Sequence, residues 1–523
     1  MKSAVFHISY SNKSLIGFSI SVVLIYIFSI LIAAGLANSS FNKFKLFEPV
    51  NKFSLLASLF LNPVILLSGI TIIMFIPGIL FVYFLIRRKL EFLDFLVYSS
   101  IINTALLILG SSLFKFFTKQ QLNRFNFMLI ICIMITVAIL LKIIRFKEYV
   151  RKNIFSYKVD FIKLILLGII VLFCIILFLR NFSGISIDFD FSENALLKIP
   201  FGQQDDLFEV VGLTDSLRMH LYPYWDLEYN DKLGFHVIDP PLSYYFYLFA
   251  ILLFGNSFIS FGLFFLLSII IMIIICFSIA QMDINIQNRY YIIILPIFLS
   301  CILFFSNLPE RYLLGVFLLF PVFLHYYFLI SRKYIISLIF AIMSFLMSYE
   351  SIFLICLGFI IFNFLFRDGR YKLKHLFRRY LYAIFLYLCF IVLVGILRGD
   401  LMTYIKSIFI EKFMRFDYFG IIFSFFPEQL GAWPSSRFYN NWAFIKWALL
   451  SSSFLVIILF LPKKDKISTF FSWVGLIYFF TILVSRYKRP HYVVLLIMIT
   501  ALVVPRYICS LNKMFKKNYN IKS

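Results

Sequence analysis

Long apolar runs alternate with short polar connectors from one end of this chain to the other. Runs of membrane-crossing length occupy 14–35, 64–86, 94–114, 126–144, 161–179, 257–280, 290–306, 312–330, 334–349, 350–366, 380–397, 442–461, 468–484 and 491–508. A bilayer core about 30 Å thick takes roughly 20 apolar helical residues to cross. The pattern therefore predicts an all-α polytopic bundle of about 13–14 transmembrane helices. The run 14–35 is long enough to span, and no small-residue cleavage site closes a short apolar core, so it reads as the first anchor. The stretch 334–366 contains Glu350, and its basic flanks favour two short spans over one broken helix.

Two features break the monotony. The connector 181–256 is long and holds QQDDLFEV (203–210), HLYPYWD (220–226) and DPPLSYY (239–245), and a second polar stretch covers 398–441. Within 203–220, Leu207, Val210, Val211, Thr214 and Leu217 recur at helical spacing, which predicts a short amphipathic helix at the membrane surface. The paired prolines before Leu242 stop one element and start another, an aromatic apolar helix over 241–254. That helix is too short to cross and is expected to lie in the outer interface.

Composition agrees with the pattern. At 62% hydrophobic and 14% charged over 523 residues, with mean hydropathy +0.95, a soluble fold is excluded. The 49 Lys and Arg against 25 Asp and Glu fall in runs: Lys13, Arg87-Arg88-Lys89, 142–158, Arg289, Arg332-Lys333, 367–379, Lys463-Lys464-Lys466 and the tail from Lys513. All lie on one side of the predicted spans, which makes that side cytoplasmic. Both termini are then inside, and 181–256, 307–311, 398–441 and 485–490 face out. Lys115, Lys119 and Arg124 fall outside against the bias. Topology accounts for the positive charge, so membrane lipid is an expected partner and nucleic acid is not. The seven cysteines stand singly without CxxC spacing and indicate neither a zinc site nor a disulfide framework.

The outward motifs divide the chain into an N-terminal four-helix region, 1–160, and a domain over 161–523 that carries the candidate chemistry. Asp205, Asp206 and Glu209 share a helical flank. Such crowding of like charges is either a solvated surface or a base or cation site. His220, Tyr222, Tyr224 and Trp225 follow, and aromatic faces beside carboxylates suit both a sugar ring and a membrane interface. Glu350 at a span junction is costly against lipid and is expected to face the bundle or a water-filled pocket.

These residues carry a resemblance. An outward loop with an acidic pair opening a short helix, then an aromatic-proline stretch, then Pro240-Pro241-Leu242 followed by Phe254-Gly255-Asn256-Ser257 and a span, resembles the membrane glycosyltransferases of the GT-C fold. The layout is most similar to the family of lipid A aminoarabinose transferases and protein O-mannosyltransferases. Asp205 matches that family's catalytic aspartate and Asp206 replaces its glutamate. Asp239 stands where the family has Lys or His before Pro-Pro-Leu, a departure for which His236 is the candidate substitute. Arg486-Tyr487-Lys488-Arg489-Pro490 matches the family's late basic-Tyr-Pro element.

The resemblance covers about 161–510 and implies a GT-C-like bundle that transfers sugar from a polyprenyl-phosphate-linked donor to a glycan, glycolipid or protein acceptor. It implies catalysis on the outer face of a bacterial cytoplasmic membrane, in cell-envelope glycan synthesis. Asp205, Asp206 and Glu209 would be catalytic. Arg486, Lys488 and Arg489 would bind the donor phosphate. His220, Tyr222, Tyr224, Trp225, His236, Asp239, Glu310 and Glu350 would contact sugar or acceptor. The resemblance also gives Glu310 acceptor, lipid phosphate or a metal to hold, and helix capping is the alternative for that residue. No cofactor is certain, and a divalent metal at Asp205 and Glu310 stays open. A lipid-linked glycan polymerase or ligase, or a transporter or flippase, are the competing classes.

Overall fold

In a computed structural model of the protein, helices form where the apolar runs predict them. The structure describes residues 4–10, 12–38, 52–85, 92–145, 153–159, 242–254, 313–347, 350–366, 373–397, 449–460, 465–484 and 491–519. It also describes Thr214, Leu217, Arg218 and pieces at 168–169 and within 267–279. The chain divides into two compact units. The first takes Met1–Ile169, Leu179–Trp225 and Tyr244–Leu263, and the second takes Ile170–Phe178, Asp226–Ser243 and Phe264–Ser523.

The first unit contains α1 (Asn12–Asn38), α2 (Lys52–Phe75), α3 (Gly78–Leu85), α4 (Phe92–Thr118), α5 (Arg124–Arg145) and most of α6 (Leu242–Phe254). Its two strands, β1 (Ala4–Tyr10) and β2 (Asn153–Val159), pair antiparallel from Ala4 opposite Val159 to Tyr10 opposite Asn153. This strand pair is an addition to the expected all-helical pattern. The second unit contains α7 (Leu313–Ile330), α8 (Tyr334–Met347), α9 (Glu350–Leu365), α10 (Leu373–Leu397), α11 (Lys466–Val484) and α12 (His491–Tyr519). The stretch 334–366 thus forms two helices. Among the described residues Ser14–Ile32, Val64–Leu85, Asp94–Thr118 and Arg124–Leu141 are long and apolar enough to cross a membrane. Shorter apolar helices include Leu242–Phe254, Phe320–Ile330 and Val493–Tyr507. The protein is a multi-pass membrane protein. The expected span at 290–306 lies outside the described residues, as does nearly all of 161–179.

The span expected at 64–86 is broken at Pro77, and the break has a local repair. Proline has no N–H, so the carbonyl of Ile73, four residues back, loses its helical donor. The Asn103 side-chain amide on α4 supplies one, donating to Ile73 O at 2.7 Å and Ile72 O at 2.9 Å. Its oxygen accepts from Gly78 N at 2.9 Å, the first N–H of α3. Gly78 must be glycine, because a Cβ there would overlap the Ser99 carbonyl and the Asn103 backbone. Asn103 is fully buried, so removing its amide leaves backbone groups without partners. Asn103→Ala is expected to destabilise the protein by about 2–3 kcal/mol. Thermal unfolding in detergent reads this directly, and an unchanged midpoint would show that the break needs no bridge.

In the second unit α7 and α8 form a tight antiparallel hairpin. Arg332 takes the left-handed conformation at φ 60°, Arg332 N–H reaches Leu329 O at 3.1 Å, and Lys333 N–H reaches Phe328 O at 2.9 Å. These are the two reverse bonds that close a helix end. Phe328 and Phe340 stack across the hairpin at 5.6 Å. His325 is fully buried beside them. A carbonyl can only accept, so the 3.0 Å contact of His325 Nδ1 with Ser337 O puts the proton on Nδ1, leaving Nε2 to accept from the Tyr380 hydroxyl at 3.4 Å. Ser337 Oγ donates back to His325 O at 3.2 Å, so one ring ties α7, α8 and α10. Tyr326 donates to Leu354 O at 2.6 Å with its ring against Gly358, which seats α9 on α7.

α11 and α12 are joined by charge. Asp465 caps α11, its Oδ1 accepting Ser468 N–H at 2.7 Å and its Oδ2 accepting Ser468 Oγ–H at 3.0 Å. The same carboxylate meets the Arg506 guanidinium of α12 with both oxygens at 3.3 Å. Arg506 is 1% exposed, and its third nitrogen donates to Ile279 O. One buried cation of α12 thus holds both the start of α11 and the Ile279 carbonyl.

Candidate functional site

Two described pieces of the connector 181–256 dock on the first unit: one lies between the acidic and aromatic stretches, and the other is α6. In the first piece Thr214, Leu217 and Arg218 are helical. Thr214 and Leu217 are fully buried, as the apolar register of 203–220 predicts. Arg218 follows on the same piece and is 6% exposed. Its backbone and side chain clasp the turn between α4 and α5: Leu122 N–H donates to Arg218 O at 2.9 Å, and Arg218 Nε donates to Leu122 O at 3.3 Å. The Gln121 amide, turned with its oxygen toward the guanidinium, accepts at 2.9 Å. The α4–α5 turn and residue 218 therefore lie on one side of the membrane, consistent with the assignment of both to the outer face.

α6 is the second piece, and every one of its residues is buried. Carbonyls of its last turn accept from side chains of other helices: Leu252 O accepts from Arg124 Nε at 2.8 Å and Leu253 O from the Tyr26 hydroxyl at 2.6 Å. The Phe249 ring stacks on Phe127 of α5 at 5.1 Å, and Phe254 lies against Gly69 of α2 where a Cβ would overlap it. At its other end the Tyr245 hydroxyl meets Ser112 Oγ of α4 at 3.3 Å. Both ends thus reach α4 and α5 near their shared turn, as befits a helix that does not cross. The expectation of an interface-lying helix needs one correction: α6 has no open face. A helix apolar all round has no polar side to give to water, and burial among other helices is the stable outcome.

Lys115 connects the two pieces. It is 3% exposed, its ammonium donates to Leu217 O at 2.7 Å, and it sits 5.3 Å from the centre of the Tyr245 ring. Lys115 and Arg124 are two of the three expected exceptions to the charge bias, with Lys119. Here both donate to backbone carbonyls, Lys115 to Leu217 O and Arg124 to Leu252 O, a role that charge counting along the chain does not show.

Of the residues assigned to the site, Glu350 is the first residue of α9. Asp205, Asp206, Glu209, His220, Tyr222, Tyr224, Trp225, His236, Asp239, Glu310, Arg486, Lys488 and Arg489 lie outside the described residues. Among the described residues no group of three or more His, Cys, Asp or Glu gathers as a metal site. No protein-family model, curated protein or solved structure matches the chain.

Proposed function

We propose that this protein transfers a sugar from a polyprenyl-phosphate donor to an acceptor on the outer face of the membrane. The observation that carries the reading is the order of outward motifs, with the acidic pair at 205–206, the aromatic stretch at 220–226 and Pro-Pro-Leu at 240–242 in one connector. Its support from the fold is that two pieces of this connector, at 217–218 and in α6, are seated on the first unit beside the α4–α5 turn.

In the proposed step Asp205 takes the proton from an acceptor hydroxyl. The acceptor oxygen bonds to the anomeric carbon from one face while the carbon–oxygen bond to phosphate breaks on the other, and the polyprenyl phosphate leaves with that electron pair. The sugar is inverted. A phosphate leaving as an anion needs cations rather than an acid, and Arg486, Lys488 and Arg489 are the candidates. A lipid-borne donor explains why the chemistry is built on a membrane bundle: the tail stays among apolar helices while the phosphate sits at the interface.

Donor titration in nanodiscs tests the assignment. Wild type is expected to consume polyprenyl-phosphate sugar, and replacing Arg486 and Arg489 together by Gln is expected to weaken donor use by roughly ten- to a few hundredfold, about 1–3 kcal/mol. Equal donor affinity and turnover in the double variant would remove the cluster from the phosphate site.

A further inference from the structure

We infer that Arg378 and Arg379, at the basic end of α10, bind the phosphate of an anionic phospholipid whose tails lie along the helix beyond them. The inference does not rest on the sugar-transfer reading. α10 lies wholly in the second unit and has two contrasting faces. Tyr380, Ala383 and Tyr387 are buried at helical spacing. On the other side Tyr382, Phe385, Leu393 and Ile396 are all more than half exposed. Arg378 heads that exposed stripe and Arg379 flanks it, both exposed. From Arg378 to Ile396 the helix rises about 27 Å at roughly 1.5 Å per residue, close to the thickness of a bilayer core. An exposed apolar stripe of that length in a membrane protein faces lipid, and the guanidinium at its end then stands at headgroup level.

The guanidinium of Arg378 is held in place from its own helix. Its Nε donates to the Tyr382 hydroxyl at 3.0 Å, and its carbon lies 5.5 Å from the centre of the Tyr382 ring. That bond uses one of five N–H donors and fixes the plane of the rest. Among the described residues no carboxylate pairs with Arg378 or Arg379. The buried face stops the helix from turning: the Tyr380 hydroxyl donates to His325 Nε2 at 3.4 Å, and its ring lies 4.2 Å from that of Phe359 on α9. A planar arginine fork matches two oxygens of one phosphate. The occupant has to meet both features, a phosphate for the guanidiniums and acyl chains for the stripe. Free phosphate meets the first alone, and an anionic phospholipid meets both. The run 367–379 is counted as cytoplasmic and Asp368 is its one acid, so the lipid belongs to the inner leaflet.

Native mass spectrometry of the full chain in detergent, titrated with phosphatidylglycerol or with phosphatidylcholine of the same acyl chains, reads the site. The wild type is expected to retain one phosphatidylglycerol about twentyfold more tightly than phosphatidylcholine, at about fivefold for each basic residue beside an anionic headgroup. Arg378→Gln together with Arg379→Gln is expected to remove the preference. Arg378→Lys keeps the charge and loses the fork, so part of the preference should remain. Lys466→Gln takes an exposed cation from the start of α11 and should change nothing. A wild type without the preference, or an equal loss in Lys466→Gln, would overturn the site. Retention of inorganic phosphate in place of phosphatidylglycerol would overturn the lipid as its occupant. Thermal unfolding separates a lost site from a lost fold. The double variant is expected to match the wild-type midpoint without lipid and to lose the rise that phosphatidylglycerol gives the wild type, and a rise kept in full would overturn the proposal.

Discussion

Asp205→Asn is expected to abolish sugar transfer in a protein that still inserts and folds. The substitution keeps the side chain's shape and removes only its ability to take a proton, so the loss reports general-base catalysis. That contribution is typically about a hundred- to ten-thousandfold in rate. Asp206→Asn should retain part of the turnover, because Asp206 is the next residue in sequence and is not the one that matches the catalytic position of the resembled family. The comparison is made with purified protein and a polyprenyl-phosphate sugar, following product by mass spectrometry. Full turnover by Asp205→Asn would take this residue out of the mechanism and direct attention to Asp206 or Asp188.

The largest effect on stability is expected at Arg506. Its guanidinium is 1% exposed, faces the Asp465 carboxylate with both oxygens, and donates to Ile279 O. Arg506→Met keeps most of the apolar stem but strips a partly buried carboxylate and the Ile279 carbonyl of this partner. Removing one member of a buried pair costs about 3–5 kcal/mol, because the remaining charge stays desolvated. Asp465 is 28% exposed and keeps its bonds to Ser468, which puts the expectation at the lower end of that range. Thermal unfolding of the single variants and of Asp465→Asn with Arg506→Met gives the coupling. Additive losses would show that the two residues act independently and that the ion pair contributes nothing of its own.

Helix positions were legible because apolar runs and bilayer thickness leave few choices. The expected 126–144 and 94–114 match α5 and α4 to within a few residues. The interruption at Pro77 was legible as a proline but not as a break, since its tolerance depends on Asn103, which comes from another helix. The same holds for the cations. Lys115 and Arg124 looked like blemishes in a charge pattern, and their role emerges only when Leu217 and α6 are brought against them in three dimensions. Local periodicity did place Thr214 and Leu217 on the buried side of their helix. The strand pair was invisible, because residues 4–10 and 153–159 are each short and neither has an edge to complete until the other is present. Of the candidate site residues the structure places Glu350 alone, at the start of α9, and around the rest it describes pieces at 214, 217–218 and α6, so the roles of the acids rest on the sequence and on the experiments above.

The pairing of β1 with β2 also carries a rule of parity. Two strands that exchange backbone hydrogen bonds must lie on the same side of the membrane, so the chain between them crosses an even number of times. Four long apolar helices separate them, which satisfies the rule. Loss of any single crossing would leave the two strands on opposite faces, so this region can gain or lose crossings only in twos. The rule extends to synthesis: Ala4–Tyr10 leaves the ribosome first and waits for Asn153–Val159, which at about 5–20 residues per second is on the order of ten seconds or more. Closure of the ring is thus a late event that reports completed insertion of everything it encloses.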